Sequence, residues 1–249
     1  MTPSTDPTAN QGAGSVVGGL TVRAFVEDLA SGAPAPGGGA AAAITGATAA
    51  GLLAMVGEYS QGRPKYDQYA PTIRRAIRVG RRAGTELLRL ADEDARVYAA
   101  FMDAWRESKD LEPLERRRVR SDAARVAVEP PLRMLAECLA VARAAERLAG
   151  RSNPNLAPEL AAASRTVEAA AYCAAENVYV NLPHVMDRAT ASDLREEARQ
   201  MVFKVEREAR AVRRTIAKGT PMPPEQRQYL AGDEDAAADP GASEDDAQN

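Results

Sequence analysis

One carboxylate interrupts a stripe otherwise fit for a core. Ile77, Gly80, Gly84, Leu87, Ala91, Asp94, Tyr98, Phe101 and Trp105 follow at alternating steps of four and three residues, the repeat of one helix face. At about 100° per residue, Asp92 and Glu93 fall to either side, so of the local acids only Asp94 points inward. A carboxylate withdrawn from water is costly unless a cation or amides meet it, or unless it keeps its proton. Asp94 is therefore either half of a structural ion pair or a proton carrier with a raised pKa. A second stripe, Val167, Ala170, Ala174, Asn177 and Asn181, ends in two amides one helical turn apart. These either satisfy each other's helices or read a ligand with several amide-like edges, such as a pterin ring.

Bare backbone is the third chemical element. In "GAPAPGGGAAAA", two prolines and Gly37, Gly38 and Gly39 stand directly before a run of small residues. Glycines ahead of a helix leave its first N–H groups uncovered, which makes either a simple turn or a seat for an anion or a developing oxyanion. Arg63 and Lys65 in "GRPKY" are either a solvated turn or a clamp for a carboxylate or phosphate. The only histidine, His184, reads as structural, and its solitude leaves no multi-histidine metal site. Acid–base work therefore falls to carboxylates, amides or lysines, without a metal.

The elements that must position these groups are all helical. Expected helices run from a cap at Thr21 to Ser31, from Gly39 to Tyr59, and from near Tyr66 past Trp105. Four more are expected over Pro113 to Val128, Pro130 to Leu148, Leu156 to Val180 and Ser192 to Ala217. Nowhere do β-branched and aromatic residues alternate over a strand's length, so the class is all-α, a single-domain bundle of long helices over 19–218. The polar segment 1–18 and the Pro-rich, then acidic segment 219–249 lack the apolar content to pack and are expected to be disordered. In the second helix, Ala40, Ala43, Ala47, Ala50, Ala54 and Gly57 form a face with nothing larger than a methyl, suited to close approach in a tight bundle or dimer.

Charge and composition exclude several classes. The 249 residues are 45% hydrophobic, enough for one sizeable core. Set aside Asp6 and the seven acids after Ala231, and the formal charge of −3 becomes +5 for the body. That suits an anionic small molecule, whereas no block is basic enough for a nucleic-acid surface. Cys138 and Cys173 read as two buried thiols in a reducing compartment. Without a signal-peptide pattern or 18 consecutive apolar residues, neither export nor a membrane span is expected, and the location is expected to be cytoplasmic.

Taken in order, "APAPGGGAAA", "GRPKY", "ADEDARVYAAF", "VEPPLRMLAE", "SNPNLAPEL" and "ENVYVNL" resemble the cyclodeaminase/cyclohydrolase family of one-carbon folate metabolism, over roughly Thr21 to Arg210. That family includes the C-terminal half of formiminotransferase-cyclodeaminase and stand-alone methenyltetrahydrofolate cyclohydrolases. The resemblance implies a helical homodimer or dimer of dimers with folate in a groove near the dimer seam, and no cofactor beyond the tetrahydrofolate substrate. It implies Asp94 as the catalytic candidate, with Asp92 second, and Gly37, Gly38, Gly39 and Lys65, with neighbouring Arg63, as folate-binding elements. Asn153 and Asn155 match the family's asparagine-rich turn, and Asn177 and Asn181 its later amides. Pro158-Glu159 departs from the Ser-Asp often found there. The implied reaction is hydrolysis of 5,10-methenyltetrahydrofolate to 10-formyltetrahydrofolate. The alternatives are cyclodeamination of formiminotetrahydrofolate with release of ammonia and, from another class, a non-catalytic dimerisation scaffold.

Overall fold

The smooth face of the alanine-rich helix finds its partner within the same chain. In a computed structural model that describes residues 16–219, six helices form: α1 (Val22–Ala30), α2 (Gly38–Glu58), α3 (Ala70–Glu107), α4 (Pro113–Leu148), α5 (Ala157–Tyr179) and α6 (Arg188–Gly219). Among the described residues there is no strand. α2 and α3 run antiparallel, with Gly57 against Ile77, Gly80 against Ala50 and Ala54, Gly46 against Leu87, and Gly39 against Asp94. A Cβ at Gly80 would stand 2.6 Å from the Ala50 carbonyl oxygen and 2.9 Å from the Ala54 nitrogen, so the two backbones touch where side chains would normally hold them apart. α5 closes the other side of α2, while α4 and α6 complete the bundle.

Local chemistry explains most boundaries. The Thr21 hydroxyl accepts from the Ala24 N–H at 3.1 Å and starts α1. The 3₁₀ turn over Pro64–Tyr69 delivers the chain into α3, which continues past Trp105 to Glu107, as the periodicity predicts. Asn153 caps the Pro154–Leu156 turn ahead of α5 by accepting from the Asn155 N–H at 3.1 Å.

Three expectations need correction. The break expected at Pro130 does not occur: α4 is continuous through Pro130 and Pro131. Each ring removes one ladder N–H, but both are buried in the core, and Ala124, Val128, Met134 and Leu135 on flanking turns are fully buried too, so packing holds the helix where local propensity would end it. Cys173 is exposed rather than buried, because it lies on the outer side of α5; only Cys138 is a core thiol. The packed domain begins before residue 19, since Val17 is buried and the Gly18 N–H donates to Asp92 Oδ1 at 2.8 Å. The disorder expected for the remainder of both tails concerns segments, 1–15 and 220–249, outside the described residues.

The seam predicts opposite outcomes for two neighbouring glycines. Gly80→Ala is expected to destabilise by about 1–3 kcal/mol through overpacking. Gly84→Ala, whose Cβ would meet its nearest neighbour at an ordinary 3.8 Å, is expected to gain up to about 1 kcal/mol from helix propensity. Urea denaturation of the two variants measures both.

Candidate active site

Three consecutive acids of α3 meet three different fates. Asp92 holds the N-terminal segment through Gly18. Glu93 is taken by Arg89 at 2.8 Å and Arg133 at 3.0 Å, part of an ion-pair cluster with Glu86 that ties α3 to α4. Asp94 has no hydrogen-bond or ion-pair partner among the described residues, and burial raises its pKa from 3.8 to about 6. The structural ion pair considered for Asp94 is therefore absent, and the second catalytic candidate, Asp92, is engaged in holding backbone.

Asp94 faces a cavity of about 310 Å³ formed where α2 begins. Gly37 caps α2 with extended backbone and no side-chain hydrogen bond, so the first N–H groups of the helix lie uncovered at the cavity wall. Gly39 must lack a side chain: a Cβ there would stand 2.5 Å from Asp94 Cγ and Oδ1. Gly38 leaves room for Asn177, whose amide would lie 3.5 Å from a Cβ at that position. Thus α2 offers its dipole and N–H groups, α3 offers a carboxyl, and α5 with the turn that follows it offers two amides.

The amide nitrogens are satisfied locally, by carbonyls of α5 four residues back, not across helices. Asn177 Nδ2 donates to the Cys173 carbonyl at 2.8 Å and Asn181 Nδ2 to the Asn177 carbonyl at 2.9 Å. Neither Oδ1 accepts a hydrogen bond among the described residues, so the pair presents acceptors to the cavity, suited to the N–H edge of a heterocycle.

Sequence reasoning missed the aromatic wall. Tyr98, Phe101 and Met102 were legible only as members of an inward stripe or its margin, yet they line the cavity, together with His184. His184 meets the Trp105 ring edge-on at 4.8 Å, and Trp105 is covered on its face by Arg120 at 4.1 Å. The steps 94, 98, 101 and 105 were the available signal: a stripe of large aromatics beyond the buried Ala91 that never closes over Asp94.

Arg63, Lys65, Asn153 and Asn155 are not brought to Asp94. They gather in a separate hollow of about 460 Å³ beyond the C-terminal end of α2. There the Asn153 N–H donates to the buried Ser60 hydroxyl at 2.9 Å, which joins the "GRPKY" and "SNPN" segments. The 21 residues of α2 separate the two sites by about 30 Å. Glu159, in the first turn of α5, keeps one buried oxygen without a hydrogen-bond partner.

Fold and cavity define an all-helical protein with a buried, unpartnered carboxyl of raised pKa set on α3. The chain belongs to the formiminotransferase-cyclodeaminase family, the family model matching residues 21–200. It is 32% identical over 180 residues to the methenyltetrahydrofolate cyclohydrolase of Methylorubrum extorquens, covering 72% of this chain and 86% of that protein. It is 34% identical over 170 residues to the formimidoyltransferase-cyclodeaminase of Rattus norvegicus, covering 67% of this chain but 31% of that one. The crystal structure of formiminotetrahydrofolate cyclodeaminase from Thermotoga maritima superposes with a TM-score of 0.75 at 25% identity, over 81% of this chain and 98% of that chain. The six ordered motifs thus pointed to the family that the comparisons identify.

The raised pKa carries a stability consequence of definite sign. Folding favours protonated Asp94, so its ionisation costs stability progressively as pH rises from 3.8 through about 6. Asp94→Asn is expected to match the wild type near pH 3.5 and to exceed it at pH 8 by up to about 3 kcal/mol, reduced by whatever solvent screens the half-buried group. Urea titrations at the two pH values measure the difference.

Proposed function

We propose that this protein hydrolyses 5,10-methenyltetrahydrofolate to 10-formyltetrahydrofolate. The observation that carries the reading is Asp94, the one acid of its run without a structural partner, set beside an uncovered helix N-terminus. The similar cyclohydrolase of Methylorubrum extorquens supports the choice of reaction. Water adds to the methenyl carbon between N5 and N10 while ionised Asp94 accepts its proton. The protonated carboxyl then donates to N5 as the C–N5 bond breaks, and the carbinol hydroxyl gives up its proton to solvent as the formyl carbonyl forms on N10. A carboxyl titrating near 6 can both take and return that proton. The N–H groups at the start of α2 would steady the oxygen of the tetrahedral centre, and the acceptor oxygens of Asn177 and Asn181 would hold the pterin edge.

A second reaction has support from the solved relative, a formiminotetrahydrofolate cyclodeaminase. There N10 attacks the formimino carbon, the tetrahedral centre collapses, and ammonia leaves once protonated. Both reactions ask for the same single proton carrier. The working unit we propose is a cytoplasmic homodimer or dimer of dimers.

Ultraviolet absorbance of 5,10-methenyltetrahydrofolate, followed with purified protein, tests the main reading. The wild type is expected to accelerate decay, with kcat/KM rising through pH about 6, and Asp94→Asn to lose at least about 100-fold. Unchanged decay together with ammonia release from formiminotetrahydrofolate would replace the hydrolase by the cyclodeaminase. Neither activity would sink both.

A further inference from the structure

No lysine or arginine lines the Asp94 cavity, although the proposed substrate ends in glutamate carboxylates. Arg120, behind the aromatic wall, is already committed. Its guanidinium covers the Trp105 ring at 4.1 Å and donates to the buried Ser108 hydroxyl at 2.9 Å and to the Trp105 carbonyl at 3.3 Å. The amide nitrogens of Asn177 and Asn181 are taken by helix carbonyls. The side-chain donors left in the lining are therefore the Tyr98 hydroxyl, one turn from Asp94, and the imidazole of His184 at the far end.

His184 is fixed on every side except the one that faces out. It closes the short turn Leu182–His184, whose neighbours Leu182 and Val185 are both buried. Its own N–H donates to the Asn181 carbonyl at 3.1 Å, and the Met186 N–H donates to the buried Ser121 hydroxyl at 3.0 Å. The ring meets Trp105 edge-on at 4.8 Å and lies 6.0 Å from Phe101. Yet the residue is exposed, and its ring nitrogens have no hydrogen-bond partner among the described residues. A polar side chain already held in place gives up little freedom when it meets a ligand.

Distance decides which part of a ligand it can meet. Phe101 stands seven residues beyond Asp94 on the same face of α3, about 10 Å along the axis, so His184 is too far away to exchange a proton with Asp94 directly. In the substrate, a benzoyl ring and one amide separate the N5/N10 bridge from the first glutamate carboxylate, a span also of roughly 10 Å when extended. Between the two ends, Tyr98, Met102 and Val180 are large apolar side chains left exposed, and all three line this cavity. A flat ring lying there would cover them.

We infer that His184 is the binding residue for a glutamate carboxylate of the substrate, with the p-aminobenzoyl ring laid along Tyr98 and Phe101 and the bridge at Asp94. The inference rests on the folate reading of the cavity. The imidazole donates a ring N–H to the carboxylate, and Trp105, clamped by Arg120, holds it at that reach. One cavity then measures the substrate from its reacting carbon to its first carboxylate.

Paired substrates and variants test the contact. The substrates are 5,10-methenyltetrahydrofolate and its butylamide analogue, in which a plain alkyl chain replaces the glutamate. His184→Phe keeps a ring against Trp105 and Phe101 but loses the donor. With the natural substrate it is expected to lose about 10- to 100-fold in kcat/KM, the loss falling on KM. The wild type is expected to lose a similar factor on the butylamide, and His184→Phe no further factor there, because one contact cannot be removed twice. His184→Gln, which keeps an N–H donor, is expected to recover most of the loss on the natural substrate. An equal loss on both compounds, no loss on either, or a His184→Gln as impaired as His184→Phe overturns the contact while the hydrolase reading stands. A wild type that turns over neither compound would sink the hydrolase reading and the contact with it.

Discussion

The rest of the structure depends on how closely α2 and α3 approach. Because Gly57, Gly80, Gly46 and Gly39 lack side chains along one antiparallel contact, the two backbones meet without intervening bulk. That contact fixes the register of α3 against α2, and the register fixes which residue of α3 meets the start of α2. The residue is Asp94. A carboxyl set against backbone where Gly39 has no Cβ loses water without gaining a cation, which is why its proton is held up to about pH 6. The glycines that allow tight packing and the titration that allows chemistry are consequences of one geometry.

The acids beside it show how the environment divides one residue type among three tasks. Asp92 spends its charge on a backbone N–H, Glu93 on two guanidinium groups, and Asp94 on no partner among the described residues. The same holds for the asparagines, whose amide nitrogens are tied to helix carbonyls so that their oxygens remain available. Groups with their donors occupied and their acceptors open select ligands that present N–H edges. The wall of Tyr98, Phe101 and His184 adds apolar surface against which a flat ring packs well. A helix length away, the separate hollow gathers the cations Arg63 and Lys65 with Asn153 and Asn155.

Much of this was legible in advance for a definite reason. Helical periodicity reports the polarity of a face, and a single charge on an apolar face stands out, so Asp94, Asn177 and Asn181 were visible as inward residues before any coordinates. Caps and glycines likewise announced the start of α1 and the smooth face of α2. Local rules failed where tertiary packing outweighed them. Pro130 and Pro131 would end an isolated helix but are held inside α4 by buried neighbours on both sides, and Cys173 sits among alanines yet on the outer face. His184 gave no periodic signal because it lies in a short turn, and it joined the cavity only when that turn folded under α3.

The sequence by itself determined the class, the family and which acid of the 92–94 run faces inward, because spacing along a helix decides which side chains share a face. Only the tertiary structure decided which faces meet. It turned the smooth face of α2 inward, onto α3. It also set Arg63, Lys65, Asn153 and Asn155 a helix length away from Asp94. Order along a chain says nothing about distance across a bundle when a rigid helix of 21 residues stands between two motifs.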